Sequence, residues 1–96
     1  MLTSKEKKFL RKESHHIQPI FQVGKGGVNP NMTTQIAEAL EKRELIKVSI
    51  LQNNFDDNQV VAEEISSQTK AEIVQVIGNI VILYKESINN KQIELP

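Results

Sequence analysis

Pro19-Ile20-Phe21-Gln22-Val23-Gly24-Lys25-Gly26-Gly27-Val28-Asn29-Pro30 carries a strand, a turn and a helix start in one short stretch. The first five residues are apolar and β-prone. Asn29 and Pro30 are a cap residue and a first-turn proline. Behind them Met32, Ile36, Ala39 and Leu40 recur at helical spacing as an inward stripe. The next run, Glu44-Leu45-Ile46-Lys47-Val48-Ser49-Ile50-Leu51, alternates with a period of two and reads as a strand. Strand, glycine turn, helix and strand therefore form one unit. Ile46, Val48 and Ile50 share one face of the second strand, and Lys47 and Ser49 point to the other with Leu45 and Leu51. Lys47 is expected to lay its stem over that partly apolar surface and keep its charge in water, the alternative being that it extends a basic face near the glycine turn.

The turn is also the candidate site. With few Cβ atoms, Gly24, Lys25, Gly26 and Gly27 let a phosphate approach the backbone closely. The N–H groups and dipole of the following helix favour an anion there. Lys25 puts a mobile positive charge at the tip. Gly24, Gly26 and Gly27 are each expected to hold a conformation or a clearance that a side chain would spoil. G-x-x-G also occurs in plain turns, so its meaning depends on the rest of the chain.

Upstream, Thr3 and Glu6 have capping-box spacing and Leu2 is placed as a staple. The first helix should run from Thr3 to about His15, with Phe9, Leu10 and Ile17 on its apolar side. Lys5, Lys8 and Lys12 line one flank, with Lys7 and Arg11 close by. Downstream, Asn53, Asn54, Asp56 and Asp57 form a loop and cap. A third helix is expected from about Asp57 to Thr69, with Val61, Ala62 and Ile65 inward. Glu72 to Ile77 and Ile80 to Tyr84 are two β runs joined by Gly78-Asn79, a two-residue hairpin signal. Residues 86–96 are polar and expected to fray, with Ile93 and Leu95 available to dock. The order is α-β-α-β-α-β-β. Two strand–helix–strand units imply parallel pairings with right-handed crossovers, and the hairpin adds one antiparallel partner. The expected fold is α/β of the α+β two-layer kind: a mixed four-stranded sheet with helices.

Ninety-six residues make one domain, 1–96, able to fold without staples. No cysteine is present, which excludes disulfides, thiolate chemistry and Cys-based zinc sites. No apolar run reaches the ~20 residues of a membrane span, and the N-terminus lacks a signal-peptide core. A cytoplasmic protein with no membrane partner is the simplest expectation. The formal net charge of zero is unevenly spread. Residues 1–47 hold nine Lys/Arg against five Asp/Glu, and residues 48–96 hold three against seven. The basic part contains the glycine turn, and such a dipole can orient a protein on a polyanion.

The chain resembles the YhbY family, the stand-alone bacterial form of the CRM (chloroplast RNA splicing and ribosome maturation) domain. The residues that carry the resemblance are Leu10-Arg11, Ser14-His15, Pro19, Val23-Gly24-Lys25-Gly26-Gly27-Val28, Glu44-Leu45-Ile46-Lys47-Val48, Val74-Gln75-Val76-Ile77-Gly78 and Leu83-Tyr84-Lys85. They occur in order over nearly the whole chain. The resemblance implies a fold similar to the C-terminal domain of bacterial translation initiation factor three. It also implies RNA binding, with precursors of the large ribosomal subunit as the bacterial target. The family's G-x-x-G loop is compared with the backbone-clamping loop of KH domains. The family's basic surface carries over to Lys5, Lys8, Arg11, Lys12 and Lys25, with His15 as a helix-end residue able to contact phosphate. Three positions depart from the pattern. Gln18 stands where a basic residue is frequent, Glu13 where some relatives are apolar, and Lys70 where glycine commonly ends the third helix.

Other functions fit less well. A Walker loop needs G-x-x-x-x-G-K-[ST], and Lys25 is followed by Gly26. His15 and His16 are adjacent, point different ways on a helix, and have no third ligand spaced for zinc. No enzyme activity, metal or cofactor is therefore expected. The aromatic residues are Phe9, Phe21, Phe55 and Tyr84. Phe9, Phe21 and Tyr84 suit the core, which leaves Phe55 as the one candidate exposed ring and no stacking platform. Recognition of RNA shape and backbone is expected over reading of bases. The rival is a protein-interaction adaptor, whose acidic half with Glu63, Glu64, Glu72 and Glu86 would meet basic ribosomal proteins. A monomer is expected in either case.

Overall fold

The structure, a computed structural model, describes residues 1–24, 26–51 and 57–96. Lys25, Asn53, Asn54, Phe55 and Asp56, to which the sequence assigns loop, cap or contact roles, lie outside the described residues.

Local signals set the elements. Helix α1 (Ser4–Glu13) starts at a complete capping box: the Glu6 N–H donates to Thr3 Oγ1, and the Thr3 N–H donates to Glu6 Oε1. A 3-10 turn (Ser14–His16) continues it and leads to strand β1 (Pro19–Val23). Helix α2 (Pro30–Arg43) has Asn29 as its cap and proline at its first position. Strand β2 is Leu45–Ile50. Helix α3 (Asn58–Thr69) begins where Asp57 Oδ1 accepts the Gln59 N–H. It ends on Lys70 in the left-handed region, φ 63°, a place where glycine is usual. Lys85 Nζ donates to Thr69 O at that same end and brings a cation to the helix C-terminus. Strands β3 (Glu72–Ile77) and β4 (Ile80–Tyr84) meet at Gly78-Asn79. Gly78 has φ 56° and Asn79 does not have positive φ, the pattern of a type II′ hairpin turn.

The sheet order is β1-β2-β4-β3. β1 and β2 pair in parallel, and β4 lies antiparallel to both β2 and β3. The parallel pairing expected between β2 and β3 does not form. β4 occupies the place between them, so each ladder it makes is antiparallel and the second crossover skips one strand. Two-residue periodicity then sorts the side chains. On one face Val23, Ile46, Val48, Ile50, Val81 and Leu83 meet Ile36 and Leu40 of α2 and Val61, Ala62 and Ile65 of α3. On the other, Leu45, Val74, Ile82 and Tyr84 meet Leu10, with Phe9, Ile17, Ile93 and Leu95 packed around them. Sheet, α2 and α3 form the main pair of layers, and α1 with the C-terminal segment covers part of the opposite face.

The C-terminal segment does not fray. Two carboxylates hold it. Glu41 accepts from the Ile88 N–H (3.0 Å), the Asn89 N–H (2.9 Å) and the Ser87 hydroxyl (2.7 Å). Glu44, fully buried at the α2–β2 corner with φ 66°, accepts from the backbone N–H groups of Ser87 (2.8 Å), Gln92 (2.6 Å) and Ile93 (2.8 Å). Its own N–H donates to Leu40 O, and its carbonyl accepts from the Lys85 N–H. The donors outweigh burial and hold the Glu44 carboxyl below the ordinary range, with help from the Lys91 charge. The Ile88 N–H, Ser87 hydroxyl and Asn89 N–H bring Glu41 to about 2. Clamped in this way, the segment delivers Ile93 and Leu95 to the second apolar cluster.

Candidate nucleic-acid interface

β1 and β2 run in the same direction, and β3 shares it because β4 opposes both of its neighbours. The glycine turn therefore leaves the sheet at the end where β1, β2 and β3 all finish, called here the upper end. The turn is closed by the Gly27 N–H donating to Gly24 O at 3.0 Å. Gly27 has φ 78°, a conformation that strains any residue with a Cβ, so the backbone itself favours glycine there. The other two glycines differ from expectation. A Cβ on Gly24 would rest in ordinary contact with Leu51 Cδ1 at 3.8 Å, and one on Gly26 would meet open space. Any need for bareness at Gly26 comes from a ligand and not from the fold.

The helix start behind the turn offers fewer donors than a bare N-terminus. Pro30 has none, the Met32 N–H is taken by Asn29 Oδ1 at 2.9 Å, and the Thr33 N–H by Asn29 O at 3.0 Å. Among the described residues this leaves the Asn31 N–H as the donor of the first turn without a partner. An anion there would be held by one backbone donor, the dipole and the turn.

α1 places its cations on a different part of the molecule. Its start is tied to the first residue of β3, since the Leu2 N–H donates to Glu72 Oε1 at 3.0 Å. Its far end passes through the 3-10 turn to Ile17 beside Leu45 at the start of β2. A ten-residue helix is about 15 Å long, and the two inter-strand gaps from β3 to β2 measure about 10 Å. α1 with its 3-10 turn thus crosses from β3 over β4 to β2 on the lower half of the sheet. Lys5, Lys7, Lys8, Arg11 and Lys12 are exposed on it. Among the described residues none of the five forms an ion pair; the recorded pairs are the N-terminus with Glu72 and Lys91 with Glu86. His15 is exposed on the 3-10 turn, whereas Ser14 is buried with its hydroxyl on Arg11 O at 2.7 Å. Gln18 and Glu13 line a cleft of about 270 Å³ with Arg43 and Ile93.

The basic helix and the glycine turn, neighbours in sequence, are therefore separated in space: one on a sheet face, the other at the sheet's upper end. Among the described residues no group of three His, Cys, Asp or Glu side chains is placed to hold a metal ion. Nor, among the described residues, is any helix long and apolar enough to cross a membrane. Phe9, Phe21 and Tyr84 pack into the two clusters as their positions predict. The residues missed by sequence reasoning are Glu41 and Glu44, whose partners lie more than forty positions away.

Fold and surface together define a class, a small α+β domain that presents a row of exposed cations on one helix and a glycine turn. The chain belongs to the CRS1/YhbY (CRM) domain family, whose model matches residues 2–85. It is 64% identical over 96 residues to "Probable RNA-binding protein YqeI" of Bacillus subtilis, covering all of both chains. It is 37% identical over 95 residues to a Haemophilus influenzae protein named RNA-binding protein, covering 99% of this chain and 95% of that one. Among solved structures, it is similar to the solution structure of a hypothetical Staphylococcus aureus protein described as a candidate RNA binder. That likeness has a TM-score of 0.84 and 58% identity over the full length of both chains.

Proposed function

We propose that this protein binds RNA, and that its RNA is ribosomal, in precursors of the large subunit, where it acts as an assembly factor. The observation that carries the reading is the set of five exposed cations on α1 without an ion-pair partner among the described residues, on a domain that also ends an edge strand in a glycine turn. Cations clustered on one helix are the electrostatic footprint that a phosphate backbone fits. Names given to the relatives support RNA as the polyanion. Lys5, Lys8, Arg11, Lys12 and His15 contact phosphates from the sheet face. Gly24, Gly26 and Gly27 admit a backbone phosphate at the upper end, and Lys25 is assigned there on sequence alone. The whole chain works as one monomeric domain in the cytoplasm, as a binding protein and not an enzyme, without a cofactor.

The test is binding to ribosomal RNA as salt is varied. Three to five phosphate contacts give a log–log slope of about −2 to −4. A slope near zero would favour the second reading, an adaptor that reaches the ribosome through basic ribosomal proteins.

A further inference from the structure

We infer that the upper half of the α1-side sheet face binds unpaired nucleotides, a role that rests on the RNA-binding reading and deepens it. Register places Gln22, Ser49 and Ile80 side by side across β1, β2 and β4, and Ile77 beside Ile80 on β3. Lys47 sits between Pro19 and Ile82 at the lower border of the same patch. These side chains alternate with the buried Val23, Val48, Ile50 and Val81 of the α2/α3 face, so all of them point to the α1 side.

What leaves them uncovered is the path of α1. A helix with its side chains is about 10–12 Å across, and the six residues of β2 extend roughly 20 Å. α1 and the C-terminal segment bury the lower residues Leu45, Val74, Ile82 and Tyr84, and Ile80 at the edge of that cluster is only half-covered. Gln22 is exposed, Ser49 and Ile80 are half-buried, and Ile77 is 50% accessible. The patch lies between the α1 cations below and the glycine turn above, and Gln22 is two residues from Gly24. A single RNA strand that runs from one to the other along this face crosses it.

The chemistry of the patch matches that occupant. It carries one cation, Lys47, with no ion-pair partner among the described residues, and no carboxylate. Ile77 and Ile80 offer apolar area for the face of a base, the Gln22 amide offers a donor and an acceptor to base edges, and the Ser49 hydroxyl, which donates to Phe21 O at 3.4 Å, offers an acceptor. A paired duplex keeps its base faces stacked inside and cannot use the isoleucines. A protein partner would be expected to bring an apolar anchor to a pocket, and this surface is a shallow strip and not a pocket.

The experiment compares a blunt RNA duplex with the same duplex carrying a single-stranded extension, using the full chain. The extension should tighten binding roughly fivefold, about 1 kcal/mol. Ile77→Ser with Gln22→Ala should cut that advantage below about twofold while duplex affinity holds. Ile methyl NMR on the wild type gives a readout independent of the variants: Ile77 and Ile80 should shift with the extended RNA and not with the blunt one. An advantage that persists in the folded variant, no advantage at all, or methyl groups that ignore the extension would overturn the inference. Failure of both RNAs to bind would instead overturn the RNA-binding reading itself.

Discussion

Glu44→Gln isolates the buried carboxylate that ties the C-terminal segment to the α2–β2 corner. The carboxylate has three backbone donors: Ser87 on Oε2, and Gln92 and Ile93 on Oε1. Glutamine keeps the shape and the same φ of 66°, so the backbone strain cancels between the two proteins. The amide turns one oxygen into a donor, which faces at least one N–H, and leaves the remaining bonds neutral. Hydrogen bonds to a charged group contribute about 1.5–3 kcal/mol and neutral ones about 1. One lost charged bond and two weakened ones sum to about 3 kcal/mol. A 96-residue domain has roughly 5–14 kcal/mol in total. At 4–8 °C per kcal/mol for a domain of this size, the melting temperature should fall by about 12–24 °C. Calorimetry measures the fall. Amide exchange locates it, since the N–H groups of Ser87, Gln92 and Ile93 should lose protection before the sheet does. The sign with pH follows from the lowered carboxyls. Between the folded value of Glu41, about 2, and the ordinary 4.5, the unfolded chain binds more protons, so stability rises with pH there. The contribution of the clamp is complete above pH 4.5 and is lost as pH falls through the folded values, and Glu44→Gln should flatten that acid limb. A variant melting within a few degrees of wild type, with the three amides still protected, would refute the reasoning.

Three further outcomes follow from the surface and the caps. Gly26→Asp adds a negative charge in open space, so melting should hold while ribosomal RNA affinity falls tenfold or more, about 1.4 kcal/mol; unchanged affinity in filter binding would remove the turn from the site. Lys8→Ala with Lys12→Ala should reduce the salt slope by about two, and a slope that stays put would move the phosphate face off α1. Lys70→Gly relieves a left-handed φ of 63° at the end of α3 and should add about 0.5–1 kcal/mol in urea unfolding, a gain that would be missing if Lys70 made a compensating contact.

The sequence is most legible where its signals are local. The capping box at Thr3 and Glu6, the Asn29-Pro30 start, the hairpin at Gly78-Asn79 and the non-glycine helix end at Lys70 each depend on residues within four positions, and the structure reproduces all of them. The position of β4 is a different matter. Whether β3 or β4 lies against β2 depends on which ladder better buries Val81 and Leu83 beside Val48 and Ile46, and no periodicity encodes that choice. The clamp left one trace. Glu41 and Glu44 sit at the C-terminal end of α2, where the helix dipole disfavours anions. Acids in that position have another use, and the Ile93 and Leu95 pair shows where the chain returns. Exposure of the α1 cations followed from their spacing, but the gap between them and the glycine turn required knowing that α1 crosses the sheet.

A formal charge of zero is a poor guide to whether this protein meets a polyanion. At physiological salt a charge is felt over about 8 Å, less than the length of α1. The acids of the 41–44 corner stay ionised on backbone donors, but they act at their own corner. Glu72 and Glu86 are occupied by the N-terminus and Lys91. The α1 cations have no such partners among the described residues, so they are what a phosphate within a Debye length of that helix encounters. The salt slope counts released counterions and hence local contacts, not net charge. A slope of about −2 or steeper from a neutral protein would count phosphates neutralised by cations gathered locally. Its reduction by the Lys8 and Lys12 double change would assign those contacts to α1.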